Sequence, residues 1–125
     1  MTDAYPLRID RTAGHILDNY RRGERDFSRS ELPDGSSFSG QDLSGAVFDD
    51  SWISVADFSG ATLRHTSFRR AHLKCATFDS ADLTGADLRG ASIDSATFAG
   101  ARVEGIQLQG ASVHSYVYAE GELPK

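Results

Sequence analysis

A large apolar residue recurs at every fifth position, without interruption, from Phe38 to Tyr118. The series runs Phe38, Leu43, Phe48, Ile53, Phe58, Leu63, Phe68, Leu73, Phe78, Leu83, Leu88, Ile93, Phe98, Val103, Leu108, Val113, Tyr118, seventeen centres in all. An α-helix repeats every 3.6 or so residues and a strand alternates with a period of about two, so neither produces this spacing. A chain that turns a corner every five residues does. Two positions before each centre stands a small residue, Ala in eleven of the seventeen cases. The exceptions are Ser36, Gln41, Ser51, Thr66, Ile106 and Tyr116. The centre and the residue two before it then point inward, and the remaining three face water.

Four such corners close a square coil of twenty residues, and the sequence supports that number. Every twentieth residue gives Phe38, Phe58, Phe78, Phe98 and Tyr118 on one face. The next faces give Leu43, Leu63, Leu83, Val103; then Phe48, Phe68, Leu88, Leu108; then Ile53, Leu73, Ile93, Val113. Stacked coils put like on like across the spacing of about 4.8 Å between hydrogen-bonded strands. Small residues at the other inward position let four walls close around a filled core.

Segments such as ADLTG ADLRG (81–90), ADFSG ATLRH (56–65) and ATFAG ARVEG (96–105) resemble the pentapeptide-repeat proteins, whose pattern is written A(D/N)Lxx. The resemblance covers residues 36–120. It implies an all-β, right-handed quadrilateral β-helix, the handedness coming from the resemblance and not from the spacing. The family is functionally diverse, so the resemblance bears on fold rather than on function.

The expected organisation is an N-terminal segment 1–24, a β-helix over 25–120 and a short tail 121–125. Phe27 and Leu32 extend the repeat backwards, but Leu32 to Phe38 is six residues, with one inserted at Pro33-Asp34-Gly35. That places Leu32 under Ile53 and Phe27 under Phe48. Upstream, Ala13, Ile16, Leu17 and Tyr20 form one stripe of an amphipathic helix, with Asp10 or Thr12 as N-cap and Gly23 just past its end. This helix is expected to cover the open N-terminal end of the stack. No comparable cap is expected at the C-terminus. There Tyr116 and Tyr118 stand where Ala and Leu are usual, either plugging the last coil or forming a two-fold homodimer interface.

Composition narrows the function. The 13 Lys+Arg against 18 Asp+Glu give a net charge of −5, which argues against direct nucleic-acid binding. One Cys excludes an intrachain disulfide and suits a reducing compartment. No apolar run approaches the roughly 18 residues of a membrane span, and MTDAYPLRID lacks a signal pattern. A cytoplasmic, bacterial protein is the expectation.

The outward charges form bands. Coil 36–55 carries Asp42, Asp49 and Asp50; coil 56–75 carries Asp57 against Arg64, Arg69, Arg70 and Lys74; coil 76–95 carries Asp79, Asp82, Asp87 and Asp94 against Arg89. One reading is ion pairing between neighbouring coils. The other is a basic girdle, His65 to Lys74, that docks an acidic partner. Trp52, outward and one coil from His72, is a candidate hot spot or a residue covered by the N-terminal cap. The candidate partner-binding residues are therefore Trp52, Arg64, Arg69, Arg70, His72 and Lys74. His65, His72 and Cys75 diverge around a coil, so no metal site is expected, and Cys75 is expected to pack passively at a corner. The paired Asp residues belong to the repeat, and the glycines are corners rather than a phosphate cradle. No catalytic residue and no cofactor are expected. The reading is a non-catalytic protein–protein interaction module of unknown partner. Some family members mimic DNA and occupy the DNA site of gyrase, a quinolone-protection activity, and this is the named alternative. Mimicry needs an unbroken acidic surface, and the basic coil interrupts it. Structural self-assembly through the C-terminal coil is the third reading.

Overall fold

The residue before each centre pairs, in parallel, with the residue twenty positions later. Ser37, Asp57, Thr77 and Thr97 line up on the first face, and Trp52, His72, Ser92 and Ser112 on the fourth. The computed structural model describes residues 7–124. Residues 1–6 of the N-terminal segment, including most of the stretch read for a signal pattern, and Lys125 of the tail lie outside the described residues.

Most corners are closed by a backbone hydrogen bond from the third residue after a centre back to that centre's carbonyl, as from Gln41 to Phe38 and Ala46 to Leu43, both 3.0 Å. The residue two after the centre takes positive φ, +70° at Gly40 and +75° at Gly45. Glycine adopts that conformation without penalty, which is why it recurs there. Asp50, Val55, His65, Arg70, Cys75, Ser80 and Ser95 adopt it too, at φ between 57° and 61°.

From Phe38 to Leu88 the centres are fully enclosed. Phe38, Leu43, Phe48, Ile53, Phe58, Leu63, Phe68, Leu73, Phe78 and Leu83 have no exposed surface. The rings of Phe38, Phe58, Phe78 and Phe98 stack at 5.1, 5.1 and 5.2 Å. Each buried Phe contributes about 1.5–3 kcal/mol of apolar transfer, and each ring pair about 0.5–1.5 kcal/mol more.

At the N-terminal end the insertion is visible as a change of offset. Asp26 pairs with Val47 and Glu31 with Trp52, twenty-one apart, before the spacing settles at twenty from Ser37. Phe27 stacks on Phe48 at 5.6 Å, as the sequence places it. Helix α1 (Ala13–Arg21) is capped by Thr12, whose hydroxyl accepts from the His15 N–H at 3.1 Å. It ends with Gly23 at φ +98°, the Gly23 N–H donating to Tyr20 and the Glu24 N–H to Asn19, both 3.0 Å. Ile16 is buried and Ala13, Leu17 and Tyr20 pack against the same core. The Tyr20 hydroxyl donates to the Ser44 carbonyl at 2.7 Å, tying the helix to the stack.

Two features differ from the sequence reading. A strand, β1 (Ile9–Asp10), pairs in parallel with β2 (Ser30–Glu31), extending the fourth face before the helix begins. Its residues are exposed, so no apolar period announces it. The second concerns the C-terminal end, where the coil does not continue to Tyr118. The chain reverses after Val113, and β3 (Ser112–Val113) pairs antiparallel with β4 (Tyr116–Val117). Tyr118 is buried, reached by this hairpin and held by a hydrogen bond from its N–H to Ala111 at 2.9 Å. The apolar period at 118 therefore reflects burial without a further parallel repeat. The end expected to lack a cap is partly covered by this hairpin.

Candidate functional site

The charged bands meet mainly across coils. Asp87, only 8% exposed, accepts from Arg69 Nε at 2.6 Å and from Arg89 Nε and Nη2 at 3.0 and 2.9 Å. Burial raises its pKa, but the hydrogen bonds from Arg89 and Arg69 outweigh it and hold the carboxyl at about 2. Arg70 grips Asp50 through two contacts, 2.8 and 3.0 Å. Arg64 meets Asp82 at 3.0 Å. Asp49 accepts from the Ser67 hydroxyl at 2.5 Å and the Arg69 N–H at 3.0 Å. Three of the four Lys and Arg side chains of coil 56–75, Arg64, Arg69 and Arg70, are thus each committed to a carboxylate of this chain. Lys74 forms no ion pair among the described residues. The more exposed pairs, Arg70–Asp50 and Arg64–Asp82, are worth about 0.2–1 kcal/mol each.

Trp52 lies where the sequence puts it, outward on the fourth face and 41% exposed. Its ring centroid is 4.8 Å from that of His72, and the Arg8 guanidinium stands 4.0 Å over it. The two readings of Trp52 meet here: it packs on the neighbouring coil and holds the residue that leads into β1, yet keeps an open face. Burial, then the Arg8 charge, push the His72 pKa below the ordinary imidazole value.

Cys75 corrects an expectation. It sits at a corner, at φ +60°, but is exposed rather than packed. Among the described residues no three His, Cys, Asp or Glu side chains converge to hold a metal ion, and no helix is long and apolar enough to cross a membrane.

The concave surfaces lie at the two ends. At the N-terminal end a cleft of about 470 Å³ runs between Arg11, Thr12 and His15 on one side and Glu31 to Pro33 on the other. At the C-terminal end a cavity of about 480 Å³ is lined by Ile93, Phe98, Val113, Tyr116 and Tyr118. The Tyr116 and Tyr118 rings meet edge to face at 5.2 Å. The Tyr116 hydroxyl donates to Glu122, which also accepts from the Ala119 N–H at 2.7 Å. Sequence reasoning singled out the two tyrosines but missed Phe98 and Glu122. Phe98 looked like another core ring, and nothing local marked Glu122.

A family model for pentapeptide repeats matches residues 55–90 and 78–114, in eight copies. Among solved structures the chain is similar to Rfr23, a pentapeptide-repeat protein of the cyanobacterium Cyanothece 51142, at 24% identity and a TM-score of 0.69. That match covers 72% of this chain and 60% of Rfr23, so the chain spans less than two thirds of its length. It is 36% identical to alr5209, a pentapeptide-repeat protein of Nostoc Pcc 7120, covering 83% of this chain and 80% of that one at a TM-score of 0.48. Full-length QnrB1, a plasmid-mediated fluoroquinolone resistance protein, is 15% identical at a TM-score of 0.28, covering 92% of this chain and 87% of that one. That last likeness is too loose to speak for a shared partner. No curated protein matches the chain.

Proposed function

The chain belongs to the pentapeptide-repeat family, a right-handed quadrilateral β-helix, and we propose that it works as a non-catalytic protein-interaction module of the cytoplasm. The observation that carries this reading is Trp52. A large aromatic side chain is 41% exposed yet ordered between Arg8 and His72. Such a ring has already lost much of its freedom, so a partner that covers it gains area at low entropic cost. The inward positions hold Phe, Leu, Ile, Val and Ala in a filled core, which leaves the outer faces and the ends to make contacts. Arg64, Arg69, Arg70, His72 and Lys74 lie in the coil next to that of Trp52 and would supply the polar rim. The exposed free thiol of Cys75 suits a reducing compartment.

Affinity capture from a bacterial lysate tests this, with the full chain as bait beside Trp52→Ala and the pair Arg69→Glu and Arg70→Glu. One partner held stoichiometrically by the native chain and lost by either variant is the expected result. An identical set of captured proteins for all three baits overturns the assignment to this surface. The gyrase alternative needs an uncompensated acidic run. Here Asp82 and Asp87 are bound by Arg64, Arg69 and Arg89. Purified gyrase should therefore supercoil DNA at an unchanged rate in the presence of the chain, and inhibition would establish DNA mimicry instead.

A further inference from the structure

On the first face the coil-to-coil ladder stops with its donors in place. Phe38 and Gly40 donate to Asp57 and Ser59; Phe58 and Gly60 donate to Thr77 and Asp79; Phe78 and Ser80 donate to Thr97 and Ala99. In the same series Asp57, Thr77 and Thr97 donate back to Ser36, Ala56 and Ala76. The next members are the N–H groups of Phe98 and Gly100 and the carbonyl of Ala96. None of the three has a hydrogen-bond partner among the described residues. The cause is the hairpin, which pairs Ser112–Val113 with Tyr116–Val117. A fifth member of this column, at 117, would have met Thr97, but that segment is used elsewhere. The tail does not replace it. Pro124 is the tail residue that lines the shallow cleft beside Ala96 to Ala99, and proline has no N–H to continue the ladder.

The same edge borders the apolar cavity of about 480 Å³ against Phe98 and Tyr116. Phe98, fully stacked on Phe78 on one side, is only partly buried, unlike the three rings above it. Ladder and column therefore end together, and together they define what would complete them. We infer that this edge accepts an extended peptide segment of another protein as one more parallel strand. Two N–H donors and one carbonyl fix its backbone, and one aromatic side chain, two positions after a small residue, stacks on Phe98. This is strand addition to an open edge, where the main chain gives affinity and one pocket gives specificity. It rests on the interaction-module reading but uses a different surface from Trp52.

The probe is a labelled synthetic peptide, ASIDSATFAG, copying residues 91–100, and a control with its Phe replaced by Asp. Fluorescence anisotropy on the full chain should show saturable binding of the first peptide and binding weaker by about tenfold or more for the second. Amide hydrogen exchange then locates the strand. The Phe98 and Gly100 N–H groups should exchange about tenfold more slowly with peptide bound. The Ala99 N–H, already donating to Asp79 at 3.0 Å, should not change. Phe98→Ser should weaken binding, with circular dichroism checking that the coils persist. No saturable binding, or protection elsewhere than Phe98 and Gly100, overturns the proposal and leaves the Trp52 surface untouched. Protection of these amides that rises with protein concentration, without peptide, overturns it in favour of a second copy of the chain; sedimentation would show the dimer.

Discussion

The rings of Phe58 and Phe78 lie 5.1 Å apart and 4° from parallel, one coil above the other. Neither has any exposed surface. Phe78 also stacks on Phe98 at 5.2 Å and meets Phe68 edge to face at 6.0 Å. A solenoid has no distant contacts to compensate a gap, because each coil touches only its neighbours. Phe78→Ala should therefore cost about 3–5 kcal/mol, and Phe78→Leu clearly less. Denaturant melts of both variants provide the check; equal losses would mean that ring stacking adds nothing beyond volume.

Asp87 links stability to acid pH. Its folded pKa of about 2 lies below the ordinary aspartate value of 3.8. A depressed carboxylate contributes stability that is full above the ordinary value and disappears as pH falls through the folded one. The window is thus roughly pH 4 to pH 2, and the amount about 2 kcal/mol. Asp87→Asn should be less stable than the native chain by about that much at pH 7. The two should converge near pH 2. A gap of constant size across that range would show that the loss is packing and not charge.

Val55 is a β-branched residue at φ +59°, and 45% exposed. The left-handed conformation costs a side chain of this shape about 1–2 kcal/mol. Glycine removes that cost but adds freedom to the unfolded chain, so Val55→Gly should gain about 0.5–1 kcal/mol. Gly85→Ala is the opposite case, at φ +69°, where a Cβ would stand 2.4 Å from His65 Nδ1. It should lose stability, and part of the loss should return in the double variant with His65→Ala, as a double-mutant cycle would measure. Loss of stability in Val55→Gly would mean that the exposed Val55 side chain makes contacts worth more than its strain.

The period of five told nearly everything about the middle of the molecule. A spacing of twenty between Phe58 and Phe78, and the one-residue insertion at Pro33-Asp34-Gly35, were legible because the core is a one-dimensional stack and its pattern is written along the chain. The ends were not legible for the same reason. Ile9 and Asp10 pair with Ser30 and Glu31 through backbone groups alone, with exposed side chains that leave no apolar signature. Tyr118 kept the period although its strand runs the other way, since burial and direction are independent. The partners of Asp87 were half legible: the period put Asp87 one coil from Arg69. Which arginine meets which carboxylate depends on side-chain reach, which spacing does not encode.

Trp52 is the single tryptophan, so its emission reports on its own surroundings. Those surroundings are His72 at 4.8 Å and the Arg8 guanidinium at 4.0 Å. Burial first, and then the charge on Arg8, lower the His72 pKa below the ordinary imidazole value. The emission should therefore titrate with a midpoint below the ordinary histidine value of about 6.5. Because the folded pKa is lowered, the unfolded chain binds this proton first, and stability falls as pH drops from about 6.5 through the folded value. Arg8→Ala removes the second cause and should move the midpoint upward, leaving the first in place. His72→Asn should abolish the transition. A midpoint that does not respond to Arg8→Ala would mean that Arg8 does not rest on Trp52 in solution. The leading residues of β1 would then be held by the Ile9 and Arg11 hydrogen bonds alone, at 2.7 and 3.1 Å.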